Sequence, residues 1–153
     1  MADILNRVAL HFVWATYDRL PYLTPAAMAV VEECVRQACD ERRSPVIAIG
    51  GVEDHVHVLL HFATTVSISD LAQEMKGGSA RVVNLRFPDA NFRWQGGYGV
   101  FPVPPNARNS VTDYIARQEE HHRAGTAVSS LEITGRPSPA PPSGARGGGL
   151  EQQ

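Results

Sequence analysis

The segment GGVEDHVHVLLHF, Gly50 to Phe62, reads as a strand unusually dense in imidazole. Aliphatic residues run from His55 to Phe62, and a second apolar run, PVIAIGGV, occupies Pro45 to Val52. Only Glu53 and Asp54 separate the two, which predicts a β-hairpin. Along a strand, residues two apart share a face, so His55 and His57 project together while Val56 and Val58 enter the opposite face. Two imidazoles held in this way either chelate a divalent metal or serve as hydrogen-bonded core or surface histidines. The H-x-H spacing alone does not separate the two readings.

Outward from the hairpin, the chain alternates strand and helix signals. VALHFVWAT (Val8 to Thr16) is rich in β-branched and aromatic residues and predicts a central strand. Thr24 followed by Pro25 marks a helix start, since the hydroxyl caps and the missing N–H of proline costs nothing there. Met28, Val31, Val35 and Ala38 then recur at helical spacing to about Arg43, and Pro45 stops the run. Ser67 or Ser69 caps a second helix carrying Ile68, Leu71, Met75 and Val82. Gly77 and Gly78 lie in its middle at about 1 kcal/mol each relative to alanine. The pair either divides the helix or lets something approach the backbone closely. PDANFRWQGG reads as a loop, YGVFPV as a short strand and PPNARN as a stiff linker. Ser110, with Asp113 three residues on, predicts the capped start of a last helix.

The order β-α-β-β-α-β, then α, predicts an α+β fold: a ferredoxin-like, RRM-like antiparallel sheet with two helices on one face and the other face left for partners. After Arg123 the composition shifts to Pro, Gly, Ser and Ala, so residues 1–124 are expected to form one domain and 125–153 a disordered tail.

Composition narrows the function classes. Of 153 residues, 43% are hydrophobic and 20% charged, as in an ordinary globular domain with one core. The net charge of −2 gives no global basic signature, so any nucleic-acid contact must rest on local charge. Cys34 and Cys39 are five apart on a helical pattern and face different directions, which disfavours a disulfide or a zinc pair. They read as small hydrophobes in a reducing compartment. The apolar run near the start is too short and too interrupted for a signal peptide or membrane span, and a cytoplasmic location is expected.

The last helix adds chemistry to the histidines. Tyr114 and Gln118 are four apart and stack on one helical face. A glutamine oxygen can ligate a metal or orient a phosphate or water. A tyrosine hydroxyl, with an unperturbed pKa near 10, becomes a useful nucleophile when a cation stabilises the phenolate or a base takes the proton. Taken alone, Tyr114 also reads as a packing residue. Metallo-β-lactamase chemistry would need a further Asp-His after the pair, where Val58, Leu59, Leu60 and His61 stand. An amidohydrolase barrel needs a longer chain, and no phosphate-binding P-loop is present.

Three ordered motifs, DHVHVLL at Asp54 to Leu60, FRWQGGYGVF at Phe92 to Phe101 and YIARQEEHHR at Tyr114 to Arg123, resemble the HUH single-tyrosine transposases of small bacterial insertion sequences, the IS200-like family, kin of the REP-associated tyrosine transposases. HFVWATYDRLPYL near the start is similar to the same family's first strand and turn. The resemblance spans about Val8 to Arg123. It implies that His55 and His57 bind a divalent metal, that Gln118 completes the metal site, and that Tyr114 is the nucleophile. It further implies cleavage and rejoining of single-stranded DNA at insertion-sequence ends through a 5′-phosphotyrosine link that keeps the bond energy, so that no ATP is needed. The implied metal is magnesium or manganese; ligand softness alone also suits zinc, nickel or cobalt. The implied partners are a DNA hairpin and a second copy of the chain, with the tyrosine helix serving its own or its partner's histidines. The Pro/Gly-rich tail stands where family members continue with an amphipathic helical stretch, and FPVPPNAR replaces a serine-containing segment.

Lys76, Arg81, Arg86, Arg93 and Arg108 fall in a stretch whose only acid is Asp89. They are candidate phosphate contacts, with a solvated helix face as the alternative. Phe92 and Trp94 either stack on unpaired bases or pack in the core. His11 and His61 read as structural or surface residues, and His121 and His122 belong to the family pattern without an assigned role. The runner-up function is a catalytically inactive or domesticated hairpin-binding module on the same scaffold. A relaxase or replication initiator is disfavoured by chain length.

Overall fold

The structure, a computed structural model, describes residues 5–118 and 120. Four strands, β1 (Ala9–Ala15), β2 (Val46–Val52), β3 (His55–His61) and β4 (Gly99–Val103), form one antiparallel sheet in the order β2-β3-β1-β4. Helices α1 (Pro25–Glu41) and α2 (Ile68–Arg86) connect them, and α3 (Arg108–Ala116) follows β4. This is the expected ferredoxin-like arrangement with an added helix bearing the tyrosine. The domain boundary at 124, the tail at 125–153, His121 and His122 lie outside the described residues.

Period-two alternation in β1 divides the sheet into two faces. Leu10, Phe12 and Trp14 join Val56, Val58 and Leu60 of β3 against Val31 and Val35 of α1 and Leu71 and Met75 of α2. Ala9, Leu59 and Val103 face the other way and join Ala48 and Ile115 in a smaller cluster. Trp14 and Phe12 are completely buried on the large side. At about 25 cal/mol per Å² of apolar surface, that side carries most of the burial free energy.

The helix starts follow local chemistry. Thr24 Oγ1 accepts from the Ala27 amide at 3.1 Å with Pro25 in the first turn, as its sequence predicts. Ser67 caps α2 by accepting from the Asp70 amide at 3.1 Å. The α2 helix runs unbroken through Gly77 and Gly78, so the glycine pair does not divide it, and a Cβ at either position would meet open space. Cys39 is buried and its thiol is pushed up to about 12, chiefly by desolvation, while Cys34 is half-buried; both are free. They behave as the small hydrophobes expected of them.

The start of α3 differs from expectation. Ser110 does not cap it: the helix begins at Arg108, after Ala107, which makes no side-chain cap. Pro105–Ala107 forms a 3-10 turn, closed by the Ala107 amide donating to the Pro104 carbonyl at 2.9 Å, and this turn leads directly into α3. Proline's fixed φ pre-sets that turn, so PPNARN is part of the helix entry and not a spacer.

The docking of α3 depends on Gly50. It lies opposite His57 in the β2–β3 register, and a Cβ built on it would come within 2.3 Å of the Ile115 carbonyl oxygen. Both atoms belong to packed backbone, so Gly50→Ala must push α3 away. We expect Gly50→Ala to lower unfolding free energy in urea by about 1–3 kcal/mol, and Gly77→Ala, in open space within a helix, to raise it by about 0.5–1 kcal/mol. Equal or reversed effects would contradict this packing.

Candidate active site

The central strands β1 and β3 place three imidazoles beneath α3. His55 and His57 on β3 are both fully buried, with ring centroids 5.2 Å apart and planes at 73°. Their common direction follows from strand alternation, as expected. Each has its Nδ1 engaged. His55 Nδ1 lies 2.7 Å from Asp54 Oδ1, and because an ionised carboxylate only accepts, that nitrogen carries a proton. Asp54 is itself held by Arg19, whose Nε is 3.3 Å from Oδ2. Arg19 sits at φ 55 beside Asp18 at φ 53, a left-handed pair in the turn after β1 that directs the guanidinium to Asp54. Such conformations are uncommon away from glycine and concentrate at functional sites.

His57 Nδ1 lies 2.8 Å from His11 Nε2, with the rings stacked at 5.1 Å and 25°. His11 is fully buried, which makes it structural and not a surface residue, and it packs in contact with His57. Sequence reasoning missed that contact. The signal lay in register: His11 pairs with Leu59, two residues from His57 on the same face, and is therefore its diagonal neighbour.

The last helix brings Tyr114 to the same place. Tyr114 is 7% exposed and its ring meets that of His57 edge to face, with centroids 6.0 Å apart. Regular α3 ends at Ala116, and Arg117 departs from helical geometry. Gln118 therefore sits just past the last regular turn, yet its Nε2 still donates to the Tyr114 carbonyl at 3.2 Å. Gln118 is 2% exposed, and its Oε1 is buried with no hydrogen-bond partner among the described residues. A buried carbonyl oxygen left unsatisfied is costly. A cation would satisfy it.

The donor types fit a divalent metal: two imidazoles whose Nδ1 atoms are engaged, and an amide oxygen with no hydrogen-bond partner among the described residues. No group of three or more His, Cys, Asp or Glu suited to holding a metal ion occurs among the described residues. A metal here would rely on Gln118 and on substrate or water oxygens to complete its shell, as hard cations commonly do.

The basic residues do not converge on this site. Lys76, Arg81 and Arg86 lie on α2, packed on the opposite sheet face, and their five-residue spacing winds them around the helix. Lys76 Nζ donates to the carbonyls of Gln95 at 2.8 Å and Gly97 at 2.7 Å, and burial lowers its pKa. Arg86 faces Glu33 at 3.4 Å, and Arg93 lies over the Tyr17 ring at 4.1 Å. Arg81 is exposed. Arg108 is the first residue of α3, the helix that carries Tyr114. Phe92 is buried and Trp94 half-buried; they meet edge to face at 4.7 Å, and Trp94 Nε1 donates to Ser79 Oγ at 3.0 Å. Packing, not an exposed stacking platform, describes them. His61 Nε2 lies 2.8 Å from the Asn6 carbonyl oxygen, a structural contact as expected.

Comparison with known proteins agrees with this architecture. The family model described as "Transposase IS200 like" matches residues 5–118. The chain is 25% identical over 116 residues to the ISDra2 transposase TnpA of Deinococcus radiodurans, covering 72% of this chain and 83% of the relative. It is 26% identical over 125 residues to the transposase for insertion sequence element IS200 of Salmonella typhimurium, covering 78% and 82%. Among solved structures, a transposase from Deinococcus radiodurans aligns with TM-score 0.63 and 24% identity, covering 77% of this chain and 95% of that one. A REP-associated tyrosine transposase bound to a REP hairpin aligns with TM-score 0.59 and 15% identity, covering 83% and 76%. No helix among the described residues is long and apolar enough to cross a membrane. With the matched segment running from before β1 through Gln118, the chain belongs to the IS200-like transposase family.

Proposed function

We propose that this transposase cuts and rejoins single-stranded DNA at insertion-sequence ends, with Tyr114 as nucleophile. The observation that supports the reading is the edge-to-face meeting of the Tyr114 and His57 rings, more than fifty residues apart in sequence, with Gln118 bonded back to the Tyr114 carbonyl. Tyr114 Oη attacks the phosphorus of a phosphodiester and the bond to the 3′ oxygen breaks. The phenol loses one proton and the leaving oxygen gains one, giving a 5′-phosphotyrosine link and a free 3′-OH. Reversal with a second 3′-OH rejoins a strand without nucleotide energy.

His55 and His57, through Nε2, and Gln118, through Oε1, would hold a divalent cation, magnesium or manganese, that when bound draws charge from the phosphate and stabilises the phenolate. Asp54 and Arg19 orient His55 for that role, since outer partners fix the ring and tautomer of a ligating histidine. The burial of Tyr114 means that a phosphodiester reaches it only when α3 lifts or is exchanged. The helix is short and seated by a small cluster, which favours such motion. The expected partners are single-stranded DNA with a hairpin and a second copy of the chain, in the cytoplasm. Arg108 is the best placed of the five candidate phosphate contacts, whereas Lys76 is committed to its loop.

Incubation of the full chain with manganese and single-stranded element ends is expected to give a covalent protein–DNA adduct, stable to denaturation. Tyr114→Phe or a chelator should reduce it to background while hairpin binding persists. Hairpin binding without any adduct from the unaltered chain, under several metals, would instead support an inactive or domesticated binding module. Mixing Tyr114→Phe chains with His57→Ala chains tests the sharing of sites: if α3 serves its partner's histidines, the mixture regains about a quarter to a half of the parental adduct by random pairing; if it serves its own, the mixture stays at background.

A further inference from the structure

We propose that Tyr17, with the Arg93 guanidinium laid over its ring, is a stacking platform for an unpaired base of the DNA strand that runs to the histidine site. It rests on the reading of the chain as a binder of single-stranded DNA and names a contact for that strand, without needing the cleavage step. Exposed aromatic rings and guanidinium planes grip unpaired bases because every base offers a π-face. Phe92 and Trp94, the aromatic residues that the sequence suggests for this task, pack into the large core. Among the described residues the exposed aromatic ones are Tyr17 and Phe87, at 41% and 39%. Of the two, Tyr17 has a cation on its face: Arg93 Cζ lies 4.1 Å from the ring centroid, and Arg93 is itself exposed.

The platform adjoins the site. β1 ends at Ala15, whose register partner is His55, and Tyr17 lies two residues beyond. Thr16 bridges Trp94, and the Tyr17 amide donates to the Arg93 carbonyl at 3.0 Å, which sets ring and guanidinium side by side. From the same turn Arg19 Nε reaches Asp54 Oδ2 at 3.3 Å, and Asp54 Oδ1 lies 2.7 Å from His55 Nδ1. Several segments hold the turn in shape. The Asp18 amide donates to Gln95 Oε1 at 3.0 Å, Thr16 Oγ1 donates to the Leu20 carbonyl at 2.6 Å, and Lys76 Nζ donates to the carbonyls of Gln95 and Gly97. The left-handed pair Asp18 and Arg19 is thereby kept in place, as strained residues are where position matters. A ring fixed in advance loses little freedom when a base stacks on it. Charge does not supply the attraction, because Asp18 and Asp54 offset Arg19 and Arg93. The π-face does.

That distinction sets the test, fluorescence anisotropy of labelled strands with the full chain in chelator, where no metal-dependent cleavage intervenes. The probes are oligothymidylate of about sixteen nucleotides and an abasic strand of the same length, which carries the same phosphates without bases. The unaltered chain is expected to prefer oligothymidylate. Tyr17→Ala should weaken oligothymidylate binding about 5–150-fold and leave abasic binding as it was. Tyr17→Trp should retain the preference, and the dependence on salt should be the same in all three chains. Equal loss on both strands would mark Tyr17 as structural, and undiminished oligothymidylate binding by Tyr17→Ala would leave the platform without a role; either overturns the proposal. So does an unaltered chain indifferent to the presence of bases. None of these outcomes touches Tyr114, whose part is decided by the covalent adduct, so the platform and the cleavage reading fail separately.

Discussion

The absence of a side chain at Gly50 is the constraint on which the site depends. A methyl group there would collide with the Ile115 carbonyl, so only glycine lets the α3 backbone settle against β2 beside His57. With that approach granted, Ile115 drops into a small cluster with Ala9, Ala48, Leu59 and Val103. Tyr114, the adjacent residue, then meets the imidazole of His57. The helix contributes little apolar surface, so its seat is a matter of close fit more than of bulk burial. The opposite face is different: α1 and α2 press a large continuous core against the sheet and hold β1 and β3 rigid. A firm floor carries the histidines, and a lightly held helix carries the phenol.

That asymmetry suits the proposed cleavage, in which a DNA strand would have to reach a buried tyrosine. Metal ligands need to be held in place, and the two central strands, each paired on both sides, supply that. A nucleophile that is covalently joined to DNA needs freedom to leave and return. The chain does this with one sheet and one short helix. Asp54, with Arg19 behind it, contacts Nδ1 of His55, and His11 contacts Nδ1 of His57.

Much of the fold was legible in the sequence because it is written in local patterns. Alternation marked β1 and the hairpin, Thr24 with Pro25 marked α1, and the H-x-H and Tyr-x-x-x-Gln spacings marked the histidines and their helix. What escaped notice depends on long-range geometry. His11 acquires its importance only from the β1–β3 register, which places it diagonally from His57. The true start of α3 was hidden because a Pro-led 3-10 turn took over the role assigned to Ser110. Charge counting along the chain suggested one basic stretch. In three dimensions Lys76, Arg81 and Arg86 wind around a helix on the far face, Arg93 lies over the Tyr17 ring, and Arg108 begins the helix that bears Tyr114. The glycine pair in α2 meets no close packing neighbour among the described residues.

The most direct measurement is anomalous scattering from manganese in crystals of the full chain grown with that ion. The account predicts a single strong peak bounded by His55, His57 and Gln118, on the sheet face where Tyr114 of the same or an exchanged helix is seated. A peak elsewhere, or none at an ion concentration that supports DNA cleavage, would contradict it.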